Sequence, residues 1–236
     1  CCLSKFSTCP SELHFNFLKG VAIYLKRTKH WGIRYHRQAP TKHTGLSPGC
    51  FKDEPLPLPD NFPPFPAHPA GPNPICFVDA AYANDLRRRR STTGYAIMLA
   101  GGAIAWRSTT QSTTALSSTE AEFYAAVSAA KVCLFIRHVL TCLKQPPTGP
   151  TLIYEDNEAC INVVNARQPT DRTRHIETPY FKIQDWKEEE IIKMIHIPGI
   201  VNNSDDLTKP LGWVLHSRHT RRTMGHFVPT TSHPIL

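Results

Sequence analysis

The sequence has no Cys-x-x-Cys pair and no histidines at the spacing of zinc ligands, although it contains eight cysteines. These absences give no indication of a zinc knuckle or of a disulfide framework. We expect most of the thiols to be reduced residues of the core. Cys133 and Cys160 fall within predicted helices, where a thiol behaves as a small hydrophobic group. The cysteines lie at positions 1, 2, 9, 50, 76, 133, 142 and 160.

Membrane and export signals are also missing from the sequence. We find no apolar run of the length that a membrane-spanning helix requires. Nor is there a cationic segment that leads into an apolar stretch and a small-residue cleavage site. The sequence therefore predicts a soluble, unexported chain with no membrane partner.

The charge of the chain is biased towards the basic side. Its 236 residues contain 27 Lys and Arg against 19 Asp and Glu, which gives a net charge of +8 and an isoelectric point near 9.1. Clustered cations displace counterions from a phosphate backbone, so this balance fits a polyanionic partner. The hydrophobic content of 41% is enough to bury a globular core.

Proline is unevenly distributed along the chain. Residues 40–74 contain 11 of the 21 prolines, which favour polyproline II and exclude regular secondary structure. We interpret residues 39–74 as a linker, and the aromatic side chains of Phe62 and Phe65 leave open that it docks on the folded domain. In the preceding segment, apolar residues recur at helical spacing from Leu13 to Leu25, and a short extended strand follows at residues 32–35.

After the linker, the pattern predicts a mixed α/β domain. Gly101-Gly102 signals a hairpin between two strands, and a long helix begins at the hydroxyl-rich Ser117-Ser118-Thr119. The order is strand, strand, strand, helix, strand, helix, helix, strand, helix. The predicted strands cover residues 75–79, 93–100, 103–107, 151–155 and 191–197, and the two helices after the long one cover residues 158–166 and 178–189.

Four short segments each place a carboxylate at the edge of a predicted strand or helix. Asp79 and Asp156 end strands, Glu122 lies in the first turn of the long helix, and Asp205 lies in a late polar loop. Mg²⁺ prefers oxygen ligands and keeps several waters, so a few carboxylates and the phosphates of a substrate complete its shell. The acids together predict a magnesium-dependent nuclease, and four solvated acids are the alternative interpretation.

Six motifs follow one another along the chain: Phe77-Val-Asp-Ala-Ala-Tyr-Ala83, Arg89-Arg-Ser-Thr-Thr-Gly-Tyr95, Ala115-Leu-Ser-Ser-Thr-Glu-Ala-Glu122, Asp156-Asn157, Arg172-Thr-Arg-His-Ile176 and Asp206-Leu-Thr-Lys-Pro-Leu211. Together they resemble the ribonuclease H domain of copia-type LTR retrotransposon Pol polyproteins, over about residues 75–211. Residues 15–29 are similar to the end of the preceding reverse transcriptase region. The resemblance implies that residues 1–38 are a remnant of the reverse transcriptase thumb or connection, and that residues 212–236 are a basic tail. The aspartate motif of a polymerase is absent, so we do not expect DNA synthesis.

The resemblance implies an α/β ribonuclease H-like fold, with a five-stranded mixed sheet and flanking helices. It also implies an endonuclease that hydrolyses the RNA strand of RNA–DNA hybrids, with the reverse transcriptase domain of the same polyprotein as a partner. Two Mg²⁺ ions, or Mn²⁺ in their place, would be held by Asp79, Glu122, Asp156 and Asp205, with Asp79 bridging both. Glu122 and Asp156 would then bind the ion near the leaving group, and Asp205 the ion that holds the nucleophile. The expected location is the cytoplasm, in a virus-like particle, or the nucleus.

Two of these metal ligands have an acidic neighbour that competes for the assignment. Glu120 and Glu122 share the first turn of the helix, and the large apolar residue that follows Glu122 fits the family pattern, which makes Glu120 a capping acid. Asp205 and Asp206 are adjacent, and the family pattern favours Asp205. His196 falls within a predicted strand, and we assign it no catalytic role.

Further residues are predicted to contact the substrate. Ser118, Thr119 and Asn157 are placed to contact 2′-hydroxyl groups, which distinguish RNA from DNA, although such residues equally serve as helix caps. Arg89 and Arg90 belong to the basic run of residues 87–90, which could hold a phosphate backbone or form a solvated face.

In the family pattern, Arg174 and His175 lie nearer the acids and are also expected to contact the substrate. Arg174 could instead pair with an acid and hold the entrance of a helix. Two rival functions remain open: a catalytically weak nucleic-acid-binding module of the polyprotein, and an integrase or exonuclease on the same scaffold. The long helix after three strands favours ribonuclease H, because an integrase would carry its last acid on a helix after the fourth strand.

Overall fold

The computed structural model describes residues 3–36, 63, 65, 66, 68, 69, 71–85, 87–166 and 177–226. The described residues fall into two compact units, one formed by residues 3–32 and the other by residues 33–36 together with those from 63 onward.

The first unit contains a short 3-10 turn, Leu3–Phe6, and the helix α1, Glu12–Thr28. This helix confirms the prediction made from the helical spacing of its apolar residues. All 17 of its residues are described, and none of them is buried. Leu13, Phe17 and Leu25 are therefore exposed apolar side chains.

The strand predicted at residues 32–35 is wrong, because residues 31–36 form no regular strand. In the second unit, the backbone N–H of Arg34 donates to the carbonyl of Met224, and that of His36 donates to the carbonyl of Ala100. These two hydrogen bonds, to residues of two separate loops, pair backbone N–H groups of this extended segment in place of a strand ladder.

The second unit is built on a five-stranded sheet with the order β3-β2-β1-β4-β5. β1, β2 and β3 form an antiparallel meander, and β4 and β5 are parallel to β1. This is the five-stranded mixed sheet of the predicted ribonuclease H-like fold. The strands are β1 Ile75–Ala81, β2 Thr92–Leu99, β3 Gly102–Thr110, β4 Thr151–Glu155 and β5 Ile192–His196.

Helices cover both faces of the sheet. They are α2 Ser118–Cys142, α3 Glu158–Asn165, α4 Glu177–Glu188, α5 Asp205–Thr208 and α6 Trp213–Thr223. Val78 and Phe123 belong to a core on the side of α2, α3 and α4, whereas Phe77 and Tyr154 belong to a core on the opposite face. Since successive residues of a strand point to opposite faces, burial on both sides explains the nearly continuous apolar run of β1.

Phe65 and α6 complete the second core. Phe65 is buried there, so this residue of the proline-rich segment docks on the domain, whereas Phe62 lies outside the described residues. The guanidinium carbon of Arg222 lies 4.6 Å from the ring centroids of both Phe65 and Phe77. Arg222 also donates to the carbonyl of Pro66 at 2.9 Å. The helix within the predicted basic tail thus places one of its cations inside the core.

α2 is long and apolar enough to cross a membrane by length and composition, which differs from the expectation that the sequence has no such run. Eleven of its 25 residues are buried, among them Phe123, Ala126 and Cys133 of the first core. Core helices of globular domains meet the same criteria. A single helix of this kind is weak evidence for a membrane, and the absence of a membrane partner stays a prediction.

Candidate active site

Asp79 and Asp156 lie beside each other because their strands are parallel neighbours. Phe77 of β1 pairs with Tyr154 of β4, and each aspartate lies two residues beyond its member of that pair. The carboxyl ends of parallel strands meet at one edge of a sheet, so both carboxylates reach the same edge. Asp79 is 1% exposed, and Asp156 is partly exposed.

Glu122 reaches this edge from the first turn of α2. The side chain of Ser117 caps the helix by accepting the N–H of Glu120 at 3.1 Å. The carboxylate of Glu120 in turn accepts the N–H of Leu116 at 2.6 Å, which bears out its predicted role as a capping acid. Glu122, two residues further along, is buried and faces the acids instead.

Asp205 reaches the site because α5 packs directly over β2 at Gly94, the register partner of Asp79. A Cβ atom at position 94 would lie 2.5 Å from Cγ2 of Thr208 and 3.0 Å from Cβ of Leu207. Only glycine leaves room for this approach. The hydroxyl of Thr208 donates a hydrogen bond to Asp79, which ties α5 to β1.

The acids form two groups, and Asp156 belongs to both. One group contains Asp79, Asp156 and Asp205, and the other contains Glu122, Glu155 and Asp156. Within each group, one ligand oxygen from each residue lies within 4.8 Å of the others. The structure thus brings the four predicted metal ligands to one place, with Asp205 in the group and Asp206 outside it. Their role as ligands stays a prediction.

Two buried carboxylate oxygens show whether the residues of this site suit a cation. Oε2 of Glu122 and Oε2 of Glu155 are inaccessible to solvent and have no hydrogen-bond partner among the described residues. An unpaired carboxylate oxygen inside a protein is costly, and oxygen-only ligand sets suit hard divalent cations such as Mg²⁺ or Mn²⁺. The donor set therefore fits such an ion.

The raised pKa values of these acids also fit a site that binds a cation. Burial, followed by the charges of Glu155 and Asp79, raises the pKa of Glu122 to about 10. Burial and the charge of Asp79 raise the pKa of Asp205 to about 6. Burial also raises the pKa of Asp79, against the opposing effects of Thr208 and of the Lys209 ammonium. Crowded carboxylates of this kind favour protons or cations over full ionisation.

The loop before α5 holds Asp156 in position. The side-chain amide of Asn202, fully buried, donates to the carbonyl of Val78 at 2.8 Å and lies 3.5 Å from Oδ1 of Asp156. At Gly199, a Cβ atom would lie 2.7 Å from the Asp156 carboxylate, so the backbone itself lies against that group. Nε2 of His196 lies 3.2 Å from the carbonyl oxygen of Asp156.

Three residues at the site, Glu155, Lys209 and Gly94, were not predicted from the sequence. Glu155 directly precedes Asp156, but nothing in its sequence position indicated that its carboxylate lies near those of Glu122 and Asp156. Lys209 belongs to the Leu-Thr-Lys motif, yet nothing in its spacing indicated that it contacts acids. The pairing of Gly94 with Asp79 has no local signal, because it depends on sheet register.

Ser118, Thr119 and Asn157 lie at helix starts. Ser118 is exposed and Thr119 is partly exposed, both in the first turn of α2. Asn157 is partly exposed and caps α3, since its side-chain oxygen accepts the N–H of Cys160 at 3.0 Å. The capping role of Asn157 is therefore observed, and the predicted substrate contacts of all three residues stay predictions.

The basic run lies in the loop that leaves the carboxyl end of β1, on the same edge as Asp79. Arg89 is exposed, with a φ of 53°, and Arg90 is partly exposed. Asp85 shapes this loop by accepting the backbone N–H groups of Arg87 and Arg88. Arg174 and His175 lie outside the described residues.

No protein-family model matches the chain. Among known proteins, it is 34% identical over 141 residues to the retrovirus-related Pol polyprotein from transposon TNT 1-94 of Nicotiana tabacum, which covers 59% of this chain and 10% of that polyprotein. It is 26% identical over 220 residues to the Pol polyprotein from transposon RE2 of Arabidopsis thaliana, and this match covers 93% of this chain and 13% of that polyprotein. The chain thus spans only about a tenth of the Pol polyproteins that it matches.

Another relative is the secreted RxLR effector protein 161 of Plasmopara viticola. The chain is 32% identical to it over 134 residues, 57% of this chain and 72% of that protein.

Solved structures similar to this chain include ribonucleases H1. LC11-RNase H1, isolated from compost, is 17% identical with a TM-score of 0.45, and the match covers 58% of this chain and 92% of that one. The same enzyme in complex with an RNA/DNA hybrid is 15% identical with a TM-score of 0.43, and the match covers 58% of this chain and 94% of that one. The relatives agree with the resemblance that the motifs indicated: this chain is similar to part of the retrovirus-related Pol polyproteins of plant transposons.

Proposed function

We propose that this chain is a metal-dependent endonuclease that hydrolyses the RNA strand of RNA–DNA hybrids during the reverse transcription of a copia-type retrotransposon. The observation that carries the proposal is the pair of acid groups that share Asp156, at the edge where β1 and β4 end. The partners would be the hybrid and the reverse transcriptase domain of the same polyprotein, in the cytoplasm within a virus-like particle or in the nucleus.

The proposed cofactor is a pair of Mg²⁺ ions, with Mn²⁺ as a substitute. When bound, such ions supply an activated water and neutralise the charge that develops on the transferring phosphate. Asp79, Asp156 and Asp205 would hold one ion, and Glu122 and Asp156 the other. Asp156 belongs to both groups of acids, whereas the resemblance implies that Asp79 would be the ligand common to the two ions.

The chain's own residues fix the acids before any ion binds. The Thr208 hydroxyl orients Asp79, and the buried Asn202 amide lies beside the Asp156 carboxylate. Preorganised ligands lose little freedom when the substrate binds, which is how a rigid site lowers a barrier. The position of the acids at strand ends and in the first turn of a helix provides this rigidity.

The basic loop would position the substrate. Arg89 and Arg90 follow β1 on the edge that carries Asp79, so cations there would lie beside a duplex whose scissile phosphate is at the acids. Phosphate contacts fix register without reading sequence, as a nuclease that degrades any hybrid requires. Ser118, Thr119 and Asn157 would contact the 2′-hydroxyl groups of the RNA strand.

The test is cleavage of an end-labelled RNA–DNA hybrid by the purified chain with Mg²⁺ or Mn²⁺. We expect cutting of the RNA strand only, its loss with EDTA, and its loss in Asp79→Asn. Single-stranded RNA of the same sequence is the control substrate and should stay intact. A chain that binds the hybrid but never cuts it would be a nucleic-acid-binding module instead.

A further inference from the structure

Glu155, the last residue of β4, is a buried acid next to the site. Alternation along the strand puts its side chain on the face of Ile153, which is the side covered by α2 and α3. Its side chain is 0% exposed, so it belongs to the protein interior. A carboxylate in the interior carries a cost of desolvation that an apolar residue at the same position would not.

Only half of the Glu155 carboxylate is satisfied within the described part of the chain. Oε1 accepts the backbone N–H of Asn157 at 3.0 Å, whereas Oε2 is buried and has no hydrogen-bond partner there. Glu122, opposite it on α2, likewise has a buried Oε2 without a partner. A buried oxygen with no donor costs free energy, and the charge of Glu155 makes ionisation of Glu122 less favourable.

The distances suit a single cation. Glu122, Glu155 and Asp156 each offer a carboxylate oxygen, and these oxygens lie within 4.8 Å of one another. Oxygen atoms bind Mg²⁺ and Ca²⁺ at about 2.0–2.6 Å, so two oxygens on one ion lie at most about 5 Å apart. A cation among these three carboxylates would lie within reach of one oxygen of each residue.

We propose that Glu155 is a ligand of a divalent cation held by Glu122, Glu155 and Asp156, a fifth acid in addition to the four that the sequence motifs indicate. This inference rests on the proposed function, in which the site binds divalent cations, and it adds a residue that lies outside the matched Asp156-Asn157 motif. The competing role for Glu155 is purely local, since Oε1 also holds the turn from β4 into α3.

Glu155→Gln separates the two roles. Glutamine keeps the side-chain length and the carbonyl oxygen that accepts the Asn157 N–H, but it loses the charge and most of the metal affinity of a carboxylate. The matched control is Asp206→Asn, which removes one negative charge from a neighbouring acid that belongs to neither group. Thermal unfolding of both variants in EDTA checks that each is folded.

The experiment measures Mn²⁺ binding to the whole chain by electron paramagnetic resonance of the free ion, at pH 7.5. We expect Glu155→Gln to weaken the binding of one Mn²⁺ by about tenfold or more, while Asp206→Asn stays close to wild type. Equal affinity and stoichiometry in wild type and Glu155→Gln would overturn the proposal, as would a wild-type chain that binds no Mn²⁺.

Hybrid cleavage is recorded in parallel so that the two proposals fail separately. If Glu155→Gln loses Mn²⁺ affinity but wild type cuts no hybrid, the ligand role stands and the nuclease function does not. If wild type cuts hybrid and Glu155→Gln binds Mn²⁺ normally, the nuclease function stands and Glu155 only holds the turn.

Discussion

The ammonium nitrogen of Lys209 lies 3.0 Å from a carboxylate oxygen of Asp205, four residues earlier in the chain. The same nitrogen lies 3.5 Å from Asp79. Lys209 therefore places a side-chain cation between two acids of the group that also contains Asp156. A divalent ion bound to that group has to compete with this ammonium.

Replacing Lys209 by methionine removes the competing cation. We expect Lys209→Met to bind Mn²⁺ about fivefold more tightly or better, because a surface ion pair contributes about 1 kcal/mol and both acids that pair with Lys209 are buried. The metal-free variant should also unfold more easily, since Asp79 and Asp205 then repel each other. Titration with Mn²⁺ measures the affinity, and Lys193→Met, at an exposed position on β5, is the control. Unchanged or weaker Mn²⁺ binding by Lys209→Met would contradict the competition.

Gly94→Ala should separate α5 from the sheet. The added Cβ would lie 2.5 Å from a methyl carbon of Thr208 and 3.2 Å from the carbonyl of Ser204, so the helix has to move. We expect a loss of about 1–3 kcal/mol of stability from overpacking, and a larger loss of hybrid cleavage because Asp205 and Thr208 shift. Urea unfolding and cleavage assays measure the two effects.

Gly149→Ala is the control for this substitution. A Cβ atom at Gly149 meets nothing within 4 Å, so stability and cleavage should both stay near wild type. A Gly94→Ala variant with normal cleavage would show that the approach of α5 is not needed for activity.

The stability of the metal-free chain should fall as the pH rises from 7 to 9, above the range in which the buried His68 and His219, whose pKa values are lowered to about 4, have the opposite effect. The pKa of Glu122 is raised to about 10 and that of Asp205 to about 6, so the folded state holds protons that the unfolded state releases near pH 4. Since the folded state binds more protons in this range, the free energy of unfolding decreases with pH. The destabilisation is absent below the unfolded pKa values and grows until each folded pKa is passed.

Thermal unfolding in EDTA across this pH range measures the effect. The same measurement in Mg²⁺ tests the binding of a cation to the ionised acids. Because a cation binds the ionised acids of the folded state, Mg²⁺ should raise the melting temperature more at pH 8 than at pH 5.5. Glu122→Gln should flatten the pH dependence in EDTA. A melting temperature that rises from pH 7 to 9 without metal would contradict the assignment of these buried acids.

The basic loop should contribute to binding without sequence preference. Arg89→Gln combined with Arg90→Gln is expected to weaken hybrid binding equally for different sequences, and to reduce the salt dependence of log Kd by about one for each lost phosphate contact. Fluorescence anisotropy at several salt concentrations, with EDTA to prevent cleavage, measures this slope. Lys131→Gln, an exposed position within α2, should leave the slope unchanged.

Arg222 should stabilise the domain and hold the proline-rich segment against it. Arg222→Ala removes a buried side chain that contacts Phe65 and Phe77 and donates to Pro66, and we expect a loss of about 2–5 kcal/mol. Urea unfolding measures the stability, and proteolysis near Phe65 reports release of the segment. Arg88→Ala, at an exposed loop position, should change stability by no more than about 0.5 kcal/mol.

The sequence alone was enough for the strand and helix order. The five strands and the helices between them were predicted because alternation, the Gly101-Gly102 turn and the cap at Ser117 are local signals. The same signals failed at residues 32–35, where an extended segment is stabilised by bonds to Ala100 and Met224 rather than by a strand. That outcome depends on contacts far apart in the chain.

For the site, the sequence determined which acids stand at strand ends and in a first helical turn, and therefore four of the carboxylates that meet. Only the tertiary structure decided that Glu155 joins Glu122, that Lys209 lies between Asp79 and Asp205, and that Gly94 admits α5. The physical reason is sequence separation. A strand end or a helix cap is set by a few neighbouring residues, whereas the register of β1 on β2 depends on the pairing of two strands, and the packing of α5 on β2 brings Gly94 against Leu207 and Thr208, more than a hundred positions later.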